Sequence, residues 1–162
     1  MPIAFHPLPS RDVDAIRRSG EDAYGAPVEW HVAREEVRPC RYCFGAIQPG
    51  EEYLILAYRP FRSAGAYAET GPIFLCAKRC ARAPVSDQVP AILRSPRYLV
   101  RGYSASERIV YGTGEVVARG DIAPYAQTLL DRAEIAFVDV RSAANNCYQC
   151  RIRRATEAAD GG

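Results

Sequence analysis

The residues of this chain best suited to chemistry are its six cysteines, which fall into three close pairs: Cys40/Cys43, Cys76/Cys80 and Cys147/Cys150. Deprotonated thiols bind soft metals and attack electrophiles, so clustered cysteines point to metal or redox chemistry. The first pair is a Cys-x-x-Cys. Both thiolates can face one ion only if the chain turns tightly between them, and Pro39 and Gly45 fit such a turn. The second pair has three intervening residues. With Cys76 opening a helical turn, positions i and i+4 lie on one face and the sulfurs meet. The candidate metal ligands are therefore Cys40, Cys43, Cys76 and Cys80. Four thiolates would close the coordination sphere of a zinc ion, which makes its role structural.

A turn with two ligands, a hairpin, and two ligands at a helix start is the logic of a treble-clef zinc finger. The segment Cys40-x-x-Cys43, followed by Ile47-x-x-Gly50-Glu51-x-Tyr53, resembles the first half of such fingers. The third pair behaves differently. In a strand, Cys147 and Cys150 would point to opposite faces, so they chelate together only if the chain bends. Cys147 is the candidate catalytic thiol. The alternative to a metal-bearing binding module is thus a thiol-dependent enzyme or redox protein using Cys147 or the Cys40/Cys43 pair. A redox Cys-x-x-Cys usually opens a helix in a βαβ setting, and Cys40 has neither.

Other catalytic signals are weak. The chain has two histidines. His6 is read as exposed near the N-terminus, and His31 follows Trp30 in a strand as core or surface. A Cys147–His31 nucleophile pair has no local support. No G-x-S-x-G, H-E-x-x-H or P-loop is present, and Gly112-Thr113-Gly114 reads as a turn. Tyr53, Tyr58, Tyr67, Tyr98, Tyr103 and Tyr111 fall in or near predicted strands, suited to packing or to lining a polar-edged pocket.

Charge narrows the partners. The chain carries 21 basic and 19 acidic residues, and Lys78 is its only lysine. The basic clusters at Arg17-Arg18, Lys78-Arg79 and 151–154 are short. Nucleic-acid binding, which favours a basic stripe, is therefore not expected, and the partner is an unidentified small molecule or protein. No stretch approaches a membrane span. The first residues lack a signal-peptide pattern, so the protein is expected in the cytoplasm.

The elements that must position the cysteines follow from periodicity. Ser10 is read as the cap of a short helix closed by Gly20, with acids early and Arg17 and Arg18 late. Strands are expected over 27–36, 53–58, 66–75, 97–103, 108–111, 115–119, 135–140 and 147–153. The strands at 53–58 and 66–75 would form a hairpin. Helical turns are expected over 76–83 and 89–94. Asp121 caps the clearest helix, whose stripe is Ile122, Tyr125, Ala126, Leu129, Leu130 and Ala133. The fold class is α+β: a mainly antiparallel sheet with two main helices and short helical turns, as a single domain over residues 1–155 with a disordered tail over 156–162.

Several stretches also resemble a bacterial family, domain of unknown function 1203, over about Leu8 to Arg154. They are Pro39-Cys40-Arg41 with Pro49-Gly50-Glu51-Glu52, then 67–74 ending in Gly-Pro-Ile-Phe, then Val100-Arg101-Gly102-Tyr103, and Cys147-Tyr148. The resemblance implies a small single-domain bacterial protein and carries no established activity or catalytic residues.

Overall fold

Alternation along the last third of the chain decides the layers. Val138 and Val140 alternate with Asp139 and Arg141, and Cys150 and Ile152 alternate with Arg151 and Arg153. A strand sends successive side chains to opposite faces, so these segments make a sheet with one apolar and one charged face. The computed structural model describes residues 2–156. Its strands are β1 (Ile3–His6), β2 (Glu29–Val32), β3 (Arg38–Pro39), β4 (Ala46–Ile47), β5 (Glu52–Tyr58), β6 (Gly71–Cys76), β7 (Arg97–Tyr103), β8 (Glu115–Ala118), β9 (Phe137–Ser142) and β10 (Tyr148–Arg154). The α-helices are α1 (Ser10–Ser19) and α2 (Ile122–Leu130), the latter preceded by a 3-10 turn at Arg119–Asp121.

A five-stranded sheet runs β1-β10-β9-β7-β8, a three-stranded sheet β2-β5-β6, and a two-stranded ribbon β3-β4. Every pairing within them is antiparallel. Ile122, Ala126, Leu129 and Leu130 of α2 pack on Val100, Val138, Val140, Cys150 and Ile152, forming the first core. The second core joins Val13 of α1 to Leu54, Leu56, Ile73 and Leu75 of the β5–β6 hairpin and to Cys40, Tyr42 and Tyr148.

The charged face of the five-stranded sheet is buried as well. Asp139 is wholly inaccessible, and Arg151 grips it with two bonds of 2.7 and 3.0 Å. Arg151 also donates to the Pro60 carbonyl at 2.7 Å and lies 3.6 Å above the Phe137 ring. Nearby, Glu69 accepts from Arg101 and Tyr103, and Arg141 lies within ion-pair distance of it at 3.6 Å. Phe61, Tyr103 and Phe137 cluster over this polar layer.

Several expectations are met. α1 closes at Gly20 in the left-handed conformation, and the 53–58 strand is central in its sheet and hairpinned to β6. Others are corrected. Ser10 is the first helical residue, not the cap, and its hydroxyl bonds Tyr42 instead. Residues 77–83 form no helix; β6 runs through Cys76 and the chain then bends. Residues 89–94 form only a turn at Ala91-Ile92, because Pro90 and Pro96 bracket a segment that plugs Ile92 and Leu93 into the core. The 108–111 strand reduces to one bridge, Tyr103 to Ile109. Ala133 lies beyond the end of α2 and is exposed. His6 is buried in β1, an element the sequence reading did not register. The tail expected over 156–162 lies outside the described residues except for Thr156, which sits in a turn.

Removing one partner of a sealed ion pair strands the other charge, at a cost of about 3–5 kcal/mol. Asp139→Ala is expected to lose about that much stability in urea unfolding. The double variant Asp139→Leu/Arg151→Met should recover most of the loss, since a packed apolar pair avoids the desolvation penalty. A single variant as stable as the parent would show that the pair does not hold the layers together.

Candidate metal centre

The β3–β4 ribbon exists to present two sulfurs. The Cys40 N–H donates to the Gly45 carbonyl at 3.0 Å and the Phe44 N–H to the Cys40 carbonyl at 3.1 Å. These bonds close a tight loop between Pro39 and Ala46. Phe44 takes the left-handed conformation, with φ of 54°. The Gly45 N–H donates to the Cys43 sulfur at 3.3 Å, and a Cβ on Gly45 would lie 3.1 Å from that sulfur. A side chain at position 45 would therefore crowd this sulfur, which would have to give by a few tenths of an ångström.

Cys76 reaches the same point as the last residue of β6, and Cys80 follows after the bend. The Cys76 N–H donates to the Cys40 sulfur at 3.4 Å. Arg17, near the end of α1, donates through Nη2 to the Cys80 sulfur at 3.6 Å and to the carbonyls of Cys76 and Lys78 at 3.3 and 3.4 Å. One arginine therefore fastens the second ligand loop to a helix.

The four sulfurs all lie within 4.8 Å of one another. Cys43 and Cys76 are 3.8 Å apart, which matches the ~3.8 Å edge of a tetrahedron with metal–sulfur bonds of ~2.3 Å. All four cysteines are free thiols, Cys40 buried and the others partly so. Packed this closely, they cannot all ionise without a cation. Hydrogen bonds from Cys43 and Cys76 pull the Cys40 thiol far below its ordinary range. The proton each donates to Cys40 pushes Cys43 up to about 11 and Cys76 further still, with burial adding to both. The set that the sequence spacing predicts is therefore brought together, although by a strand end and a bend rather than a treble-clef helix.

Cys147 and Cys150 lie apart from this cluster. Cys150 is fully buried in the first core; burial, and then the Asp139 charge, push its thiol up. Cys147 precedes β10, and a register shift between Tyr148 and Cys150 separates the two. Cys147 lines a cavity of about 280 Å³ with Arg41, Phe74, Tyr98 and Ser142, and no histidine lines it. His31 instead bonds Glu29 at 2.8 Å on β2. Arg41, inside the Cys-x-x-Cys loop, donates to the carbonyls of Tyr148 at 2.7 Å and Pro39 at 2.8 Å. Burial lowers its pKa, opposed by electrostatic attraction from Cys147, Cys150 and Cys40. The roles of Arg17 and Arg41 had no signal in the sequence, because Arg17's partners around Cys80 and Arg41's partner Tyr148 lie far along the chain.

A model of the family described as "Protein of unknown function (DUF1203)" matches residues 37–154. The match spans all six cysteines and begins after β2, later than the resemblance from Leu8 suggests. No match was found among curated proteins or solved structures.

In the metal-free protein, Cys40 should carry the cluster's one thiolate at neutral pH. Cys40→Ser should remove that thiolate from the ultraviolet absorbance. The folded-state pKa of Cys43 is raised from 9.0 to about 11, so its contribution to stability is complete below pH 9 and lost as pH rises through 11. Metal-free protein should therefore destabilise across that window, and Cys43→Ser should flatten the slope in denaturant titrations at stepped pH.

Proposed function

The chain belongs to this family of proteins of unknown function, and we propose that it is a non-enzymatic bacterial binding module, one domain over residues 1–155, fastened by a structural zinc ion on Cys40, Cys43, Cys76 and Cys80. The observation that carries this reading is four sulfurs within 4.8 Å of one another, met by N–H donors from Gly45, Cys76 and Arg17. A soft donor set of four thiolates suits zinc, and it leaves no open position for substrate. Donors to the sulfurs spread the excess negative charge of such a centre, as outer-sphere hydrogen bonds do at metal sites. The ion would join the β3–β4 ribbon to the end of β6 and the loop after it, beside the second core. The partner is a small molecule or a protein. Among the described residues no helix is long and apolar enough to cross a membrane.

One observation favours a second reading, a thiol-dependent enzyme. Cys147 is partly exposed in its own cavity with the Arg41 guanidinium beside it, and a nearby cation promotes thiolate chemistry. Fast alkylation of Cys147 at neutral pH, with Cys147→Ser losing a measurable activity, would support that reading; slow labelling would remove it.

Protein purified without chelator or affinity metal should contain about one zinc per chain by elemental analysis. Cys80→Ser should lose the metal and several kcal/mol of stability, a fall of roughly 10 °C in Tm. Cys147→Ser should keep both. Absence of bound metal in protein that is folded and reduced would end the zinc reading.

A further inference from the structure

A cavity of about 640 Å³ lies away from the cysteines, between α1, the loop after β5 and the end of β10. Its volume is that of small-molecule sites, which run from ~300 to ~1,000 Å³. Six arginines reach its wall against four carboxylates, and three of the four, Asp12, Asp22 and Glu107, are already engaged in holding the fold. Asp12 accepts from the Tyr58 hydroxyl at 2.7 Å. Asp22 accepts from the backbone of Tyr24, Ala26 and Ala57. Glu107 accepts from the Arg62 N–H with both oxygens at 3.1 Å.

Arg82 donates through Nε and Nη2 to the carbonyls of Leu8 and Pro7, at 2.9 and 3.3 Å, which fixes its guanidinium at the wall. Arg59 is the outlier. Its Nε is shut off from solvent, yet it bonds nothing among the described residues. A charged donor in that position is costly unless an acceptor arrives. The planar fork of arginine fits a carboxylate or phosphate. Pro60, Phe61 and Ile16 add apolar wall beside it.

We propose that this cavity binds a small anionic molecule, one phosphate or carboxylate group on Arg59 and Arg82 and its less polar body against Phe61 and Ile16. The inference deepens the binding-module reading and rests on it, but it does not depend on the zinc. A concave site favours a small molecule over nucleic acid, which would need a basic stripe along the surface.

The test is calorimetric titration of the full chain with inorganic phosphate, citrate and AMP, at ionic strength fixed with chloride and with zinc content measured on each sample. At least one probe should bind saturably. Arg59→Gln should weaken it about ten-fold or more, the loss expected for one charge-assisted contact. Arg59→Lys, which keeps the charge without the fork, should fall between. Arg34→Gln, exposed and outside the cavity, should bind as the parent does. Circular dichroism confirms that each variant is folded. Saturable binding by none of the three probes, equal weakening by Arg34→Gln, or binding only to an oligonucleotide overturns the proposal. Anion binding by protein that holds no zinc as purified, without chelator, would remove the metal reading and leave this one standing; zinc without anion binding would do the reverse.

Discussion

A charged sheet face buried between two layers is the constraint on which the rest of the molecule depends. Asp139 has no access to water, so its charge is tolerable only with Arg151 locked against it. Arg151 in turn needs an acceptor and a covering surface, which the Pro60 carbonyl and the Phe137 ring provide. The loop after β5 must therefore close over β9 and β10, and the β5–β6 hairpin comes with it. Glu69, Arg101, Tyr103 and Arg141 repeat the arrangement farther along the same face. Burial also raises the pKa of Tyr58, Tyr103 and Tyr148, so these phenols stay neutral donors within the layer.

Placed beside this, the cysteine cluster addresses a different weakness. The second layer is a three-stranded sheet with β2 fully exposed at its edge, and small sheets need further packing to be stable. Besides the second core, it is attached by polar bonds: Arg17 to three acceptors around Cys80, and Arg41 to the carbonyls of Tyr148 and Pro39. Both arginines converge on the loops that carry the thiols. The cluster therefore sits where the ribbon, the hairpin and α1 meet, against the second core.

Much of this was legible in the sequence, and the physical reasons separate what was from what was not. Spacing identified Cys40, Cys43, Cys76 and Cys80 because close pairs reflect local chain geometry. The element carrying the second pair was misread, since a separation of four suits a helix and also a strand end followed by a bend. Parity placed Cys147 and Cys150 in different surroundings, and the structure puts one in a cavity and the other in the core. The segment 89–94 looked helical because Val89, Ile92 and Leu93 have helical spacing, yet two prolines left room only for a turn. The burial of Arg41, Arg141 and Arg151 has no signature in the sequence. Nothing in composition distinguishes Arg151, paired with Asp139 across a strand ladder, from the exposed Arg34.

α1 connects the metal centre to the large cavity. Arg17 on one side of the helix holds the Cys80 loop, while Asp12, Ala15 and Ile16 line the cavity. The residues matched by the family begin at 37, so the cysteines fall inside the matched region and this helix falls outside it. The cavity wall is thus composite: β10 and the loop after β5 come from the matched region, and the opposing wall from α1 and the end of β1. A rigid helix held at one end by Arg17 and packed through Val13 into the second core fixes the position of that opposing wall. Ile16 on that wall and Arg59 and Arg82 line the same cavity. A site whose two walls belong to separately positioned elements can hold its shape only if something ties those elements together; in this chain the Tyr58–Asp12 bond ties α1 to β5 directly, and Arg17 ties the helix to the loop that bears Cys76 and Cys80.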